Sequence, residues 1–380
     1  MYNMNIPTYR EEPFEWYKKM RNKNPIYKEG NVIYLFKNKD IVNVLSDYKT
    51  YSSQFRDLLG LETAQKLNKM VSPSILISDP PAHTDLRDLV SNAFSPNAIM
   101  PYEDKIREIT VSLINNIKNK RSFDLVSSLS SPLPINVIAD ILGIPIKDKD
   151  LFKKWSDRLA TSLGRGPDIN TQMEMSRYFY RMVDNDDGNN LIKRLTEVAV
   201  DGKKLTKPEI ASFAILLLVA GNETTTNLLT NTLLILSKRP EIYDRMKNDN
   251  KFINSVVEEA LRFASPVQST RRYAKNSTDI NGVDVNKNNF IQLYLGSANR
   301  DEDLYEEPEE FNPDRKNKRH IAFGNGIHFC LGAPLARLES RIFLEEFSGN
   351  IDKFNAIEPA PDDKIDNDIM YGYNKLIITI

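Results

Sequence analysis

The sequence predicts a mainly α protein with small β-sheets at its margins, and three observations carry that prediction. Apolar residues recur at helical spacing in EITVSLINNIKNK near 108–120, SPLPINVIADILG at 131–143, a long segment at 207–237 and APLARLESRIFLEEF at 333–347. Strand patterns are confined to PIYKEGNVIYLFK at 25–37, VDVNKNNFIQLYL at 283–295 and the closing NKLIITI; the first two carry turn residues midway and read as hairpins. The composition, 41% hydrophobic and 27% charged over 380 residues, suits a large buried core. With no fixed-period repeat and no low-complexity linker, one domain over 1–380 is expected.

Charge and cysteine content narrow the function classes. Fifty-one basic against 52 acidic residues give a net charge of -1, so no global field recommends nucleic acid or an anionic membrane as partner. A single cysteine excludes an internal disulfide, a two-cysteine zinc site and a protein-bound iron–sulfur cluster, and suits a reducing cytoplasm. The opening MYNMNIPTYREEPFEWYKKM lacks the pattern of a signal peptide. The longest apolar run, FAILLLVA at 213–220, falls well short of the roughly 18 residues a membrane-spanning helix needs.

Along the chain, the first chemistry-bearing stretch is SDPPAHTDLRDLV at 78–90. Asp79 can cap a helix that the prolines start, and His83 and Arg87 then fall at i, i+4, able to grip one anion together or to form an ordinary solvated face. DNDDGNN at 184–190 reads as an exposed loop. The long helix over 207–237 opens with Thr206 and Glu209 in capping-box spacing and spans roughly 45 Å at about 1.5 Å per residue. In its middle, Gly221 to Asn227 are polar or poor helix formers and should distort it. Thr224 can hydrogen-bond the carbonyl of Ala220, and Glu223 is an ionisable group in a segment otherwise fit for burial, a candidate proton carrier. A polar stripe facing the surface is the competing reading. Further on, VVEEALRFASP at 256–266 sets Glu259 and Arg262 at i, i+3 on one helix face, near the apolar face marked by Val256 and Phe263.

Cys330 lies in IAFGNGIHFCLG, on a loop that feeds the helix marked by Leu335, Leu338, Ile342 and Phe347. Backbone N–H groups and the helix dipole there favour a negative sulfur, while Gly324, Gly326 and Gly332 permit positive φ and close approach of something flat. One thiolate suffices as an axial ligand where a porphyrin supplies four nitrogens. A buried structural cysteine and a nucleophile assisted by His328 are the other readings.

FGNGIHFCLGAPLARLE at 323–339 resembles the haem-binding loop of the cytochrome P-450 family, with its pattern F-G-x-G-x-H/R-x-C-x-G, and the resemblance continues in order from Asp79 to the carboxy terminus. It implies the cytochrome P-450 fold, with the long helix crossing over haem b bound through Cys330. AGNET at 220–224 is similar to the segment whose acid and threonine deliver protons during oxygen activation, which carries over to Glu223 and Thr224, here with glutamate as the acid. VVEEALR resembles the E-x-x-R helix, and FNPDR at 311–315 the segment of a second arginine, so Glu259, Arg262 and Arg315 are implied to form a structural network. His83, Arg87, His328 and an arginine of STRRYAKN are implied to hold the propionates; spacing to Ala274 and Asp279 favours Arg272 over Arg271. His320 is expected to be an exposed residue of the run RKNKRH.

The implied activity is that of a monooxygenase placing one atom of O2 into a small hydrophobic substrate, with a haem protein that binds or senses ligands without turnover as the alternative. No G-x-G-x-x-G fingerprint is present, so electrons must come from outside, by resemblance from a ferredoxin-like or flavodoxin-like donor. Arg315, Lys316, Lys318 and Arg319 could meet it. The resemblance places the pocket at 55–76, at 155–180 with a loop at Gly164 to Pro167, at Phe213–Ala220, Val267–Thr270 and Tyr371–Tyr373.

Overall fold

The computed structural model describes residues 13–58, 74–162, 168–185, 188, 190–367 and 369–380. The expected pocket segments 59–73 and 163–167 lie outside them. Helices dominate. The central helix, Lys207–Ser237, has 31 residues and begins at the capping box: the Glu209 carboxylate accepts the Thr206 N–H at 2.7 Å, and the Thr206 hydroxyl accepts the Glu209 N–H at 3.4 Å. It packs against helices Pro132–Leu142, Lys149–Ser162, Ile169–Asn185 and Ala333–Asn350. Contact on so many sides explains why its leucines are buried all round rather than along one stripe.

Helix ends follow local chemistry. Pro132 starts its helix from the first turn, where its missing N–H costs nothing, and Gly143 ends it at φ 77°, a left-handed conformation that a side chain would oppose. The segment expected near 108–120 is helical earlier, over Glu103–Asn115, and closes in turns at Ile117 and Lys118. Helix Ile169–Asn185 runs into the start of the polar 184–190 stretch, which carries no regular structure where it is described beyond Asn185.

Among the described residues, ten short strands form three sheets. The largest has the order β1 (Ile26–Glu29), β2 (Val32–Leu35), β8 (Phe290–Leu293), β5 (Thr270–Ala274), β3 (Tyr51–Ser52), with β2 and β8 parallel. β1 and β2 are the expected hairpin, turning at Gly30 with φ 58°. The hairpin expected within 283–295 is a correction. β7 (Val283–Val285) pairs with the preceding β6 (Thr278–Ile280), while β8 joins the large sheet. The turn that decides this is Asn281–Gly282, both at positive φ, the pair that favours a two-residue hairpin. The tail strand β10 (Ile377–Thr379) lies between β4 (Ser122–Asp124) and β9 (Asn355–Ala356). No helix among the described residues is long and apolar enough to cross a membrane.

Candidate haem site

Three pieces of backbone bring the candidate residues together: the Cys330 loop, the helix Ala82–Ser91 and the strand β5. The loop turns at Gly324 and Gly326, with φ 74° and 72°. A Cβ on Gly326 would stand 2.4 Å from the Leu45 carbonyl oxygen, so only glycine lets the loop lie this close to helix Asn38–Ser46. Gly332 differs from expectation: its φ is -81°, it caps the helix Ala333–Asn350, and a Cβ there would meet nothing. The loop closes on itself through the Cys330 N–H, donated to the Phe323 carbonyl at 2.9 Å.

Cys330 is exposed, three residues before the first residue of the helix it feeds. Its thiol is nonetheless pushed up by desolvation in the crowded loop, against the N–H groups of Gly332 and Ala333 and the charges of Arg87 and Arg337, which act to lower it. The helix amides act in the expected direction, favouring the thiolate, and are outweighed by desolvation. The amides oppose a larger desolvation, and a bound cation is what would tip the balance.

Asp79 does not cap its helix through its side chain. The carboxylate instead accepts the Ser52 hydroxyl at 2.6 Å and the Ser53 N–H at 3.1 Å, and Asp79 contributes only its carbonyl, to the His83 N–H at 3.0 Å. His83 and His328 meet edge to face, ring centroids 4.4 Å apart, both with a buried Nε2 that has no partner. Burial, and then the nearby arginine charge, lowers both imidazoles; His328 falls to about 3. Arg87 reaches the ligand loop from the same helix as His83. It donates to the carbonyls of Ile327 at 2.8 Å and Phe329 at 2.7 Å, clamping the loop on the amino side of Cys330. Of the two β5 arginines, Arg271 is exposed and bonds the Gln292 amide, whereas Arg272 is buried. Arg272 donates to the Arg271 carbonyl at 2.7 Å, and burial lowers its pKa to about 10.

On the central helix the Thr224 hydroxyl donates to the Ala220 carbonyl at 2.6 Å, as the spacing suggested. The helix is not interrupted there, because a hydroxyl can add to a carbonyl without removing the bond that carbonyl already accepts. Glu223 has a buried oxygen with no partner, and desolvation raises its carboxyl to about 7. Asn222 and Thr226, either side of the acid–threonine pair, are buried: Asn222 donates to the Ser156 hydroxyl at 2.6 Å and Thr226 to the Ser130 carbonyl at 3.2 Å. Asn222, Thr225, Thr226 and Asn227 of the polar patch are thus buried against protein, while Gly221, Glu223 and Thr224 are half-buried beside an exposed Ala220. Phe213 and Leu216 line a cavity of about 20 Å³ with Ile75, Leu86, Val90 and Leu205, room for one water. Tyr371 and Tyr373 are buried, their hydroxyls 3.4 Å apart, and Gln268 and Ser269 are buried in the Val267–Thr270 stretch.

In the structural network Arg262 is hydrogen-bonded through all three nitrogens, while Arg315 keeps a buried Nε without a hydrogen-bond partner. Arg262 pairs with both oxygens of Glu259 at 2.8 and 2.7 Å and donates to the carbonyls of Asn299, Pro308 and Glu310. Glu259 also accepts the Asn312 N–H at 2.8 Å and stands 3.5 Å from Arg315. Arg315 is bound to the carbonyls of Glu306, Glu307 and Glu310 and buried, which removes it from the basic cluster proposed to meet a partner and leaves Lys316, Lys318 and Arg319 exposed. His320 is a further correction: its side chain is 2% exposed and contacts Glu258 at 3.2 Å. A buried carboxyl escaped sequence reading. Glu339 is pushed up to about 8 by burial, with one oxygen unpartnered. Its place among Leu335, Leu338 and Ile342, on the apolar face of the helix, was the available signal.

The donor set fits a metal porphyrin with two carboxylates. One thiol stands open beside two buried histidine nitrogens without partners and a buried guanidinium with one backbone acceptor. The family model for cytochrome P450 matches residues 169–367. Cytochrome P450 119 of Sulfolobus acidocaldarius is 36% identical over 97% of this chain and 99% of its own length. The erythromycin C-12 hydroxylase of Saccharopolyspora erythraea is 35% identical, covering 92% of this chain and 89% of its own. Among solved structures, CYP109E1 from Bacillus megaterium in complex with testosterone superimposes with a TM-score of 0.87 and 36% identity, over 97% of this chain and 99% of that one.

Proposed function

Because the chain belongs to the cytochrome P450 family of haem-thiolate monooxygenases, we propose that Cys330 is the axial ligand of haem b and that Glu223 and Thr224 move the protons of the reaction. The buried, unpartnered nitrogens of His83 and His328 carry this reading. Twelve buried side-chain atoms among the described residues lack a partner, but these two belong to imidazoles in contact with each other beside the ligand loop, where two carboxylates would supply partners for both. Arg272 would share that task, and Arg87 would hold the loop through Ile327 and Phe329 while its Nε remains for a carboxylate. One domain would span the whole chain, working in the reducing cytoplasm.

When bound, haem supplies the redox centre at which O2 and two electrons yield one oxygen atom for the substrate and one for water, with two protons consumed. The chain's own residues bind, orient and supply protons. Glu223, with its carboxyl near 7, holds a proton at neutral pH and releases it without a large penalty. Thr224 donates its hydroxyl proton to Ala220, which leaves the oxygen lone pairs free to accept a proton from the Glu223 side. Glu259, Arg262 and Arg315 would act only as scaffold, fixing the chain behind the ligand loop. Phe213, Leu216, Tyr371 and Tyr373 would border an apolar pocket for a small hydrophobic substrate. A ferredoxin-like or flavodoxin-like protein would bring the electrons, with Lys316, Lys318 and Arg319 as the exposed charges available to it.

The reduced, carbon-monoxide-bound protein tests the ligand directly: a red-shifted band typical of thiolate ligation is expected in the native chain and its complete loss in Cys330→Ser. Retention of the band in the variant would sink the assignment. Thr224→Ala should keep the band and lower product formation per electron consumed by about tenfold or more, a general acid–base contribution.

A further inference from the structure

Glu258 immediately precedes the scaffold residue Glu259, yet it points into a separate cluster behind the Cys330 loop. Its carboxylate accepts two hydrogen bonds from Arg337, at 2.6 and 2.9 Å, and lies 3.2 Å from Nε2 of His320. Nδ1 of His320 accepts the Ala322 N–H at 3.2 Å, so a neutral ring carries its proton on Nε2 and donates it to Glu258. The Arg337 guanidinium sits 4.6 Å above the ring of Phe323. Phe323 in turn accepts the Cys330 N–H through its carbonyl. A continuous set of contacts therefore leads from Glu258 through Arg337 and Phe323 to Cys330, and His320 closes it through the adjacent Ala322. Burial alone would raise the Glu258 carboxyl, and the bonds from His320 and Arg337 reverse this and hold it at about 2, so the cluster contains a compensated pair of full charges.

We propose that Glu258, Arg337 and His320 are positioning residues that set the reduction potential at Cys330's cofactor, by holding one compensated charge pair against the loop that carries the ligand. This rests on Cys330 being the ligand. Adding an electron makes the site one unit more negative, so an uncovered positive charge nearby favours the reduced state and an uncovered negative charge opposes it. Glu258→Gln leaves Arg337 uncompensated and should move the potential upward. Arg337→Met leaves Glu258 uncompensated and should move it downward, and Arg337→Lys, which keeps the charge, should stay near the native value. A purely structural role gives no reason for opposite signs.

The experiment is a spectroelectrochemical titration of the haem-loaded native protein and these three variants, with the reduced carbon-monoxide spectrum recorded for each. Opposite shifts for Glu258→Gln and Arg337→Met, with the thiolate band retained, support the proposal. Shifts of the same sign, or none, overturn it. Arg337 is 38% exposed, so Arg337→Met decides the matter alone if Glu258→Gln does not fold; an unchanged potential there is fatal. A native protein without the thiolate band removes the premise, and the inference with it, an outcome distinct from a native band with unmoved potentials. Amide hydrogen exchange adds a readout on the loop itself: His320→Leu should speed exchange at Ala322 at least tenfold, whereas His320→Gln, which can keep both bonds, should not. Equal exchange in both variants would remove His320 from the proposal.

Discussion

Two polar regions are buried on either side of the candidate cofactor loop, and they are built on opposite terms. Behind it, Glu259, Arg262 and Arg315 sit among backbone carbonyls and each other with the Arg262 fork fully paired. Around the histidine pair, His83 and His328 each keep an unpartnered buried nitrogen, and on the central helix Glu223 keeps an unpartnered oxygen. A satisfied buried network holds backbone in place and has no capacity left for a ligand. Unsatisfied donors cost stability and are tolerated where another molecule completes them. The Glu259–Arg262 pair and the His83, His328 and Glu223 groups thus separate into scaffold and site by whether their hydrogen bonds are complete, while Arg315 is the exception on the scaffold side, its buried Nε standing 3.5 Å from Glu259 without a hydrogen bond.

The largest effect that would test this division is on the scaffold side. Arg262→Ala removes five hydrogen bonds and leaves Glu259 as a buried carboxylate facing only Arg315 and a backbone N–H. Breaking a buried pair in this way costs about 3–5 kcal/mol, so denaturant unfolding should show a loss of that order. A loss under about 1 kcal/mol would mean the network is ornamental.

On the site side the next effect depends on pH. Glu223 has its carboxyl raised from 4.5 to about 7 by desolvation, so its contribution to stability is fully present below the unfolded value and is lost as pH rises through the folded one. Glu223→Gln escapes that loss. The variant should match the native protein near pH 4.5 and exceed it above pH 7, by up to about 3 kcal/mol at the full shift. Thermal unfolding at pH 5 and pH 8 measures this, and a variant equally stable at both, relative to native, would show that Glu223 is solvated.

How much of this was legible beforehand differs between the two regions for a physical reason. Glu259 and Arg262 lie one helical turn apart, so their pairing is local and visible as a spacing. Thr206 with Glu209, and Thr224 with Ala220, were read in the same way. The histidine site joins residues distant in the chain: the Arg87–Ile327 contact alone spans 240 residues. Only the family pattern could anticipate the pairing of His83 with His328. Where local rules failed, a nearby residue outweighed them. Asn281–Gly282 decided the hairpin that the alternation after Val283 left open, and Glu258 drew His320 inward from a run of lysines and arginines that reads as surface.

The smallest effect sharpens the comparison most, because it separates stability from binding within one residue. His83 is buried with one nitrogen unpartnered, so it contributes packing but lacks a full set of hydrogen bonds to lose. Exchanging such a group for an apolar side chain of similar reach is close to neutral, since the cost of desolvating the imidazole disappears along with it. His83→Leu should therefore change the unfolding free energy of the full chain without haem by less than about 1 kcal/mol, against the several kcal/mol expected for Arg262→Ala. In the same variant haem should dissociate about tenfold faster, the loss of one charge-assisted hydrogen bond to a carboxylate. If instead His83→Leu destabilises the haem-free chain as strongly as Arg262→Ala and leaves haem retention unaltered, completeness of hydrogen bonding does not distinguish scaffold from site in this protein.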